Sequence, residues 1–283
     1  MTLVNDCDGE DYTDIIEEFK SRGLTINLIT LSENVGPGLA RQAGMDADNT
    51  SEYFMLCDSD DLVLPQAVES LSRGIEKENL DIISSSFVRH QEDTNLLQDV
   101  NNTAITWCAG KIYRASYLKE NSIRFHPNLR LNEDSYFNVV AWNSTQRRGQ
   151  LHEVTVLMMD NPDSLTRKDG LKGFFFKGWE QYILSQVDGL RDIYKQTLQM
   201  NPSIAARTLV YLYNESMIAM HFGLPINVAQ GHLKRLKVQW MNDVMETLEF
   251  WQEVERSCKG VIFFSNEVVF PAISFQDWLT WMD

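Results

Sequence analysis

Strand-like apolar runs alternate with helix-like stretches through residues 2–88, and this alternation limits the fold more than any other feature of the chain. Thr2-Leu3-Val4 stops at Asn5-Asp6, with turn chemistry following through Gly9. Tyr12 to Ser21 predicts a helix, with Tyr12, Ile15, Ile16 and Phe19 on one face. Asn27 to Leu31 predicts a strand, Asn34 to Gly38 a turn, and Leu39 to Asp46 a helix that opens at this glycine-rich loop. Tyr53-Phe54-Met55-Leu56-Cys57 reads as a buried strand, and Asp81 to Val88 as another. Between them Pro65 to Lys77 reads as a helix, with Pro65 placed for its first turn. Strands alternating with helices imply β-α-β units and an α/β sheet. Ligands of such sheets gather at the carboxyl ends of the strands. Asp6 and Asp58 each follow a strand, so both are expected on one rim.

The texture changes near Gly170. Phe174-Phe175-Phe176, Trp179 and Tyr182 begin a helical stretch, and Ile204 to His221 and Val228 to Arg256 are long and helix-like. The expected division is therefore an α/β domain over 1–168 and a mainly helical region over 169–283. The latter ends in a mixed segment containing the strand-like Val261-Ile262-Phe263-Phe264. Trp179, Trp240, Trp251, Trp278 and Trp281 fit either core packing or an acceptor surface, because aromatic faces stack on sugars and bases. The densest basic cluster, His232 to Lys237, reads as one solvated helix face.

With a formal net charge of −15, the chain repels a phosphate backbone at long range, which argues against a broad nucleic-acid footprint. Its four cysteines, Cys7, Cys57, Cys108 and Cys258, make no CxxC or Cys/His spacing, so a zinc site is not expected. No stretch approaches 18 uninterrupted apolar residues, and the first residues do not resemble a signal peptide. The expected setting is the cytoplasm.

Three constellations carry chemistry. In Asp58-Ser59-Asp60-Asp61, three carboxylates occupy four residues directly after a strand. Such acids raise one another's pKa, and a divalent cation relieves the repulsion. Mg²⁺ and Mn²⁺ prefer oxygen ligands and keep waters and phosphates in their shell. A solvated turn that caps the next helix is the other reading. The second constellation, Asn34-Val35-Gly36-Pro37-Gly38, precedes a helix carrying Arg41, which reads either as a plain connection or as an arm over the strand rim. The third, Asn132-Glu133-Asp134, reads as a helix start or as the seat of a general base.

Taken in order, Val4-Asn5-Asp6, Asn34-x-Gly36-x-x-x-Ala40-Arg41, Asp58-Ser59-Asp60-Asp61, Gly110-Lys111-Ile112-Tyr113-Arg114, Ile123-Arg124-Phe125 and Glu133-Asp134-x-x-Phe137 resemble the family 2 inverting glycosyltransferases of the GT-A fold. Asn161 to Arg167 resembles the Ser-x-Thr stretch that closes the catalytic domain in many members. The resemblance spans about residues 2–168. It implies an α/β fold with a Rossmann-like mixed sheet flanked by helices, followed here by a mainly helical appendage.

The resemblance also implies roles. Asp6 would bond the nucleotide base, Arg41 would flank it, and Asp58 with Ser59 would lie near the ribose. Asp60 would bind Mn²⁺ or Mg²⁺ bridging the diphosphate, with Asp61 the acid that often follows. Asp134 would be the catalytic base and Glu133 its orienting or acceptor-binding neighbour. Trp107, Lys111 and Arg114 would shape the acceptor side, and Arg167 or Lys168 would add charge near the diphosphate. The implied donor is a nucleoside-diphosphate sugar, with a UDP-sugar favoured, and the acceptor is open.

Two segments depart from the family pattern. The family's usual first strand and Pro-x-Tyr/Phe-Asn turn have no counterpart, which a shortened chain, a strand supplied by a partner chain or self-association, or the terminal Val261-Ile262-Phe263-Phe264 filling the gap would each account for. Leu157-Met158-Met159-Asp160 lacks the aromatic and basic residues often found there. A degenerate GT-A module that binds a nucleotide sugar or a protein without turnover is the alternative function. A nucleotidyltransferase is a third reading, against which the Glu133-Asp134 placement speaks.

Overall fold

The computed structural model describes residues 1–91, 96–100, 107–159, 161, 170–197, 199, 201–224, 226–258, 260–264 and 267–281. It divides into two compact units, Met1–Phe137 with Arg147–Met159, and Asn138–Gln146 with Asp160–Asp283.

The first unit opens with β1 (Thr2–Asn5), α1 (Thr13–Ser21) and β2 (Asn27–Thr30). β1 and β2 pair in parallel, Thr2 opposite Asn27 and Asn5 opposite Thr30. α1 buries Ile16 alone, and Ile15 and Phe19 stay 55% and 38% exposed. The expected four-residue stripe is therefore not a buried face. A two-stranded sheet has too little apolar surface to cover it.

α2 (Pro37–Ala47) follows, with Pro37 in its first turn and Gly36 as its N-cap at φ +88°. That positive φ suits glycine, which has no Cβ to clash. α2 lies close on β1, because a Cβ on Gly44 would stand 3.2 Å from the Val4 side chain.

β3 (Tyr53–Met55) is half-buried rather than buried, and Cys57 is exposed. The reason is its place at the end of the main sheet. β4 (Leu62–Val63) comes directly after the acidic turn and was not foreseen from sequence. α3 (Ala67–Lys77), β5 (Ile82–Gln91), β6 (Leu96–Val100), β7 (Lys111–Arg114), α4 (Ala115–Glu120), α5 (Glu133–Asn143) and β8 (Arg148–Met158) complete this series. The main sheet runs β3-β7-β5-β8-β4, with β6 also paired to β5. β5 and β8 are parallel, and the other pairs are antiparallel. Leu71 and Ile75 of α3 pack with Leu80, Ile83 and Ile112 as a buried core.

β1 and β3 are not hydrogen-bonded neighbours among the described residues, since they lie in separate sheets. The single rim expected for Asp6 and Asp58 is thus not formed by adjacent strands.

The second unit contains α6 (Gly170–Thr197), α7 (Pro202–His221), α8 (Asn227–Leu236), α9 (Gln239–Met245), α10 (Leu248–Ser257), β9 (Ile262–Phe264), β10 (Glu267–Val269) and α11 (Phe275–Trp281). Asn201 caps α7 by accepting from the Ser203 N–H at 2.9 Å, with Pro202 in the first turn. Val228 to Arg256 is three helices, not one. Val238 and Thr247 adopt extended backbone at the breaks, and Thr247 Oγ1 restarts the chain as a cap by accepting from the Phe250 N–H. The basic cluster is not wholly solvated, because His232, Leu233 and Leu236 of α8 are buried. Trp179, Trp240 and Trp278 belong to the core. β9 pairs with β10 as an antiparallel hairpin, so Val261 to Phe264 does not extend the β1–β2 sheet. Among the described residues no helix is long and apolar enough to cross a membrane.

Candidate functional site

The loop that leads into α2 is fixed by Asp6. Its two carboxylate oxygens accept from the Val35 and Gly36 N–H groups, each at 2.8 Å. Its carbonyl accepts from Asn34 Nδ2 at 3.0 Å. Arg130, which sequence reasoning passed over, donates to the Asn34 carbonyl at 3.0 Å and braces the same loop. A carboxylate oxygen has two lone pairs, so Asp6 keeps acceptor capacity for another donor.

One turn into α2, Arg41 reaches in two directions. Its Nε and Nη2 donate to Asp58 Oδ1 at 3.0 and 2.5 Å, and its Nη1 donates to Glu133 Oε1 at 2.8 Å. The guanidinium also lies 5.8 Å from the centre of the Phe125 ring. Burial works against the Arg41 charge, but Asp58, Cys108 and Glu133 outweigh it, so the group stays firmly protonated. Close approach makes this possible. A Cβ on Gly38 would stand 2.7 Å from Glu133 Cγ and 3.2 Å from Phe125, so only glycine fits there. Beneath, Phe125 stacks on Phe137 at 4.3 Å with ring planes 4° apart, and Tyr113 meets Phe137 edge-on.

Glu133 and Asp134 begin α5, where the helix N-terminus favours negative charge. Glu133 is buried, and Asp134 Oδ1 accepts from the Ser135 N–H at 2.8 Å. Burial, and then the neighbouring Glu133 charge, raises the Asp134 carboxyl well above the usual carboxylate range, while Arg41 opposes the shift. Lys111, 1% exposed, donates to the Trp107 carbonyl. Burial lowers its ammonium to about 8, against the pull of Cys108 and Asp134. Asn132 was read only as part of a motif. It adopts φ +57°, and its Nδ2 is buried without a hydrogen-bond partner among the described residues. Asparagine just before an acidic helix start was the available signal, since asparagine tolerates the left-handed region.

In the acidic turn Asp58 and Asp60 are exposed, as is Ser59, whereas Asp61 Oδ1 accepts from the Met159 N–H at 3.2 Å. Burial, and then the charges of Asp58 and Asp60, raises Asp61 to about 6. Among the described residues no three His, Cys, Asp or Glu side chains gather as a ready-made metal cage. The exposed carboxylates of Asp58, which also accepts from Arg41, and of Asp60 are hard oxygen donors of the kind that suit a cation completing its shell with phosphate and water.

Arg41, Asp58, Glu133, Asp134 and Lys111 are thus brought together. Arg114 is not. β7 runs antiparallel to β3 with Arg114 opposite Tyr53 and Ile112 opposite Met55, so Lys111 lies at the acidic-turn end and Arg114 at the other. There Arg114 donates to the Leu80 carbonyl at 3.0 Å and lies over the Tyr53 ring. Trp107 is 38% exposed and packs edge-on against Phe87. Arg167 lies outside the described residues.

A mixed sheet flanked by helices, with an acidic turn after an early strand and paired acids opening a later helix, defines a GT-A fold. Among the solved structures that share it are the following two. One is Staphylococcus aureus TarS in complex with UDP-GlcNAc, at TM-score 0.66 and 14% identity, covering 96% of this chain and 90% of that one. The other is GalNAc-T7 with UDP, GalNAc and Mn²⁺, at TM-score 0.50 and 13% identity, covering 88% of this chain and 50% of that one. Residues 1–147, more than half of the 283, match the family model for glycosyl transferase family 2, and the chain belongs to that family. In sequence it is 26% identical over 187 residues to the uncharacterized glycosyltransferase EpsJ of Bacillus subtilis, covering 59% of this chain and 54% of that protein. It is 24% identical over 161 residues to the poly(ribitol-phosphate) beta-N-acetylglucosaminyltransferase TarS of Staphylococcus aureus, covering 52% of this chain and 27% of that protein. The chain therefore spans about half the length of one relative and about a quarter of the other.

Proposed function

We propose that this chain is an inverting glycosyltransferase that moves a sugar from a nucleoside-diphosphate sugar to an acceptor hydroxyl, with a UDP-sugar as the favoured donor. The observation that carries the reading is Arg41, whose guanidinium ties Asp58 of the acidic turn to Glu133 beside Asp134. Donor-side and base-side carboxylates, 75 positions apart in the chain (133 − 58), are held by one rigid cation. The related TarS structures, solved in complex with UDP and with UDP-GlcNAc, support the donor class.

Asp134 acts as general base on the acceptor hydroxyl, and its raised pKa suits that work, because a base tuned toward neutrality transfers protons best. Glu133, anchored on Arg41, orients it. Asp6 binds the nucleotide base with its remaining lone pairs. Arg41, Asp58 and Ser59 hold the donor, and Lys111 and Trp107 line the acceptor side, with Arg167 adding charge near the diphosphate. Arg114 is left out of this assignment because its guanidinium is committed to Leu80 and Tyr53. Asp60, with Asp58 Oδ2, would hold Mn²⁺ or Mg²⁺, which neutralises charge on a leaving diphosphate. Residues 1–168 would form the catalytic domain of a cytoplasmic protein and residues 169–283 an appendage.

Release of nucleoside diphosphate from UDP-, GDP- and dTDP-sugars, with Mn²⁺ and with chelator, tests this. One donor turned over in a metal-dependent way is expected. An equal, metal-independent background with every donor sinks the enzyme reading and favours a degenerate binding module. A specific observation keeps that second reading in view. Among the described residues β1 pairs only with β2 and β3 only with β7, so each has an edge that a strand from a partner chain or a second copy could cover.

A further inference from the structure

Lys111 opens β7 and is 1% exposed, so a ligand arriving from solvent does not meet its ammonium. A buried lysine is costly unless its charge is used inside the chain. Its Nζ donates to the carbonyl of Trp107, four residues back. The far end of the same loop is pinned as well. The Gly110 carbonyl accepts from the Ser85 N–H at 2.7 Å and from Ser85 Oγ at 2.9 Å. Gly110 takes φ +66°, and a Cβ there would stand 2.7 Å from Ser85 Oγ. The loop from Trp107 to Lys111 is therefore closed on itself, with Trp107 edge-on against Phe87 and their ring centroids 5.4 Å apart.

The same ammonium faces α5. Lys111 and Tyr113 are two apart on β7 and share a face. Tyr113 meets Phe137 edge-on at 5.3 Å, and Phe137 is three residues beyond Asp134 on one face of α5. Lys111 and Asp134 each precede this aromatic pair on the side of the acidic turn, so the two converge there. The Asp134 charge acts on Lys111, Tyr113 and Cys108, which joins all four in one buried group. The other charged groups that act on Asp134 are Glu133, Arg41 and Asp58. Arg41 is bound to Asp58 and Glu133, so Lys111 is a second cation beside the base, on the side of the sheet.

We propose that Lys111 is a positioning residue that fixes the Trp107 loop and supports the charged form of Asp134, so that acceptor wall and base are set by one buried cation. The roles of wall and base rest on the glycosyl-transfer reading, and the fixing of Trp107 does not.

Fluorine NMR of the full chain labelled with 5-fluorotryptophan tests the first half, with the Trp107 signal assigned by Trp107→Phe. In the wild type that signal should move with a midpoint at about 8, the value to which burial lowers the ammonium. Lys111→Met keeps the length of the stem without the charge, and should shift the signal and abolish its titration. A wild-type signal that stays flat through this pH overturns the first half, whether or not the variant folds.

The pH dependence of nucleoside diphosphate release to water, from whichever of the UDP-, GDP- and dTDP-sugars is turned over, tests the second half. Without the cation Asp134 holds its proton more tightly, and a base works only when deprotonated. Lys111→Met should therefore move the acidic limb up by about one pH unit, the effect of one nearby opposite charge on a carboxyl. Lys111→Gln should do the same, and stands in if the methionine variant does not fold. A purely structural role would lower the plateau and leave the limb in place, and an unmoved limb overturns the second half. If the wild type releases nothing from any donor, the transfer reading fails while the Trp107 result stands.

Discussion

Acids in both units fall into two kinds, those matched by a fixed donor and those pushed toward the neutral form by burial. In the α/β unit, Glu133 is matched by Arg41, Asp81 by Arg147, and Asp6 by two backbone N–H groups. In the helical unit, Asp188 is matched by Arg191, whereas burial raises Glu215, which has no ion pair among the described residues, to about 7. An acid with a fixed cation stays ionised and points the same way at every pH near neutral. An acid without one exchanges its charge for a proton, or for a ligand hydroxyl. The first arrangement suits groups that must be held in place, and the second leaves an acid able to take up a proton, as the proposed base Asp134 must.

Removing the base tests the comparison most severely. Asp134→Asn should keep donor binding and lower turnover about 10²- to 10⁴-fold, the usual worth of a positioned general base. Full turnover in that variant would show that the base lies elsewhere. In the wild type the acidic limb of the rate profile should lie above the usual carboxylate range, because the Asp134 pKa is raised and the base works only when deprotonated.

Next in size is the loss of the cation. Arg41→Met leaves Glu133 buried and unpaired, and should cost about 3 kcal/mol in denaturant unfolding at neutral pH. A cost near zero would mean that the Arg41 bonds contribute no net stability.

Glu215→Gln should act in the opposite sense. The folded-state pKa of Glu215 is raised from 4.5 to about 7, so its contribution favours folding when protonated and is lost as pH rises through about 7. At a pH above this value the substitution should stabilise the chain by about 2 kcal/mol, and at acidic pH it should do little. Equal melting temperatures for both forms across that range would show that Glu215 is not held protonated.

The smallest effect belongs to Arg124 and Asp46, whose ion pair is about half exposed on both sides. Arg124→Ala should change stability by under about 1 kcal/mol. A larger loss would point to a role for the exposed pair that its geometry does not suggest.

Much of the α/β unit could be read before it was seen. The Thr2–Asn5 strand, the Pro37 helix start and the Asp58 turn each carry local signals: a short apolar run, a proline with glycine, and clustered acids. The order of six short motifs then pointed to the family, and the match over residues 1–147 agrees. Leu62–Val63 escaped notice because a two-residue strand has no period to detect, and only its partner in β8 makes it one. Arg114 was placed on the acceptor side by the family resemblance of the Gly110-to-Arg114 motif, whereas β7 carries Lys111 and Arg114 to opposite ends of the strand. Asn132 and Arg130 act through backbone conformation and a bond to a loop 96 positions away, neither of which leaves a pattern in composition.

What the sequence by itself determined was the kind of elements, the family, and which carboxylates deserve chemical roles, because these depend on local spacing and residue type. The tertiary structure decided who pairs with whom. It set β1 and β3 in separate sheets, gave Arg41 to Asp58 and Glu133 together, and left Glu215 with no ion pair among the described residues. Charge compensation is a matter of a few ångströms in space, and chain separation says nothing about it.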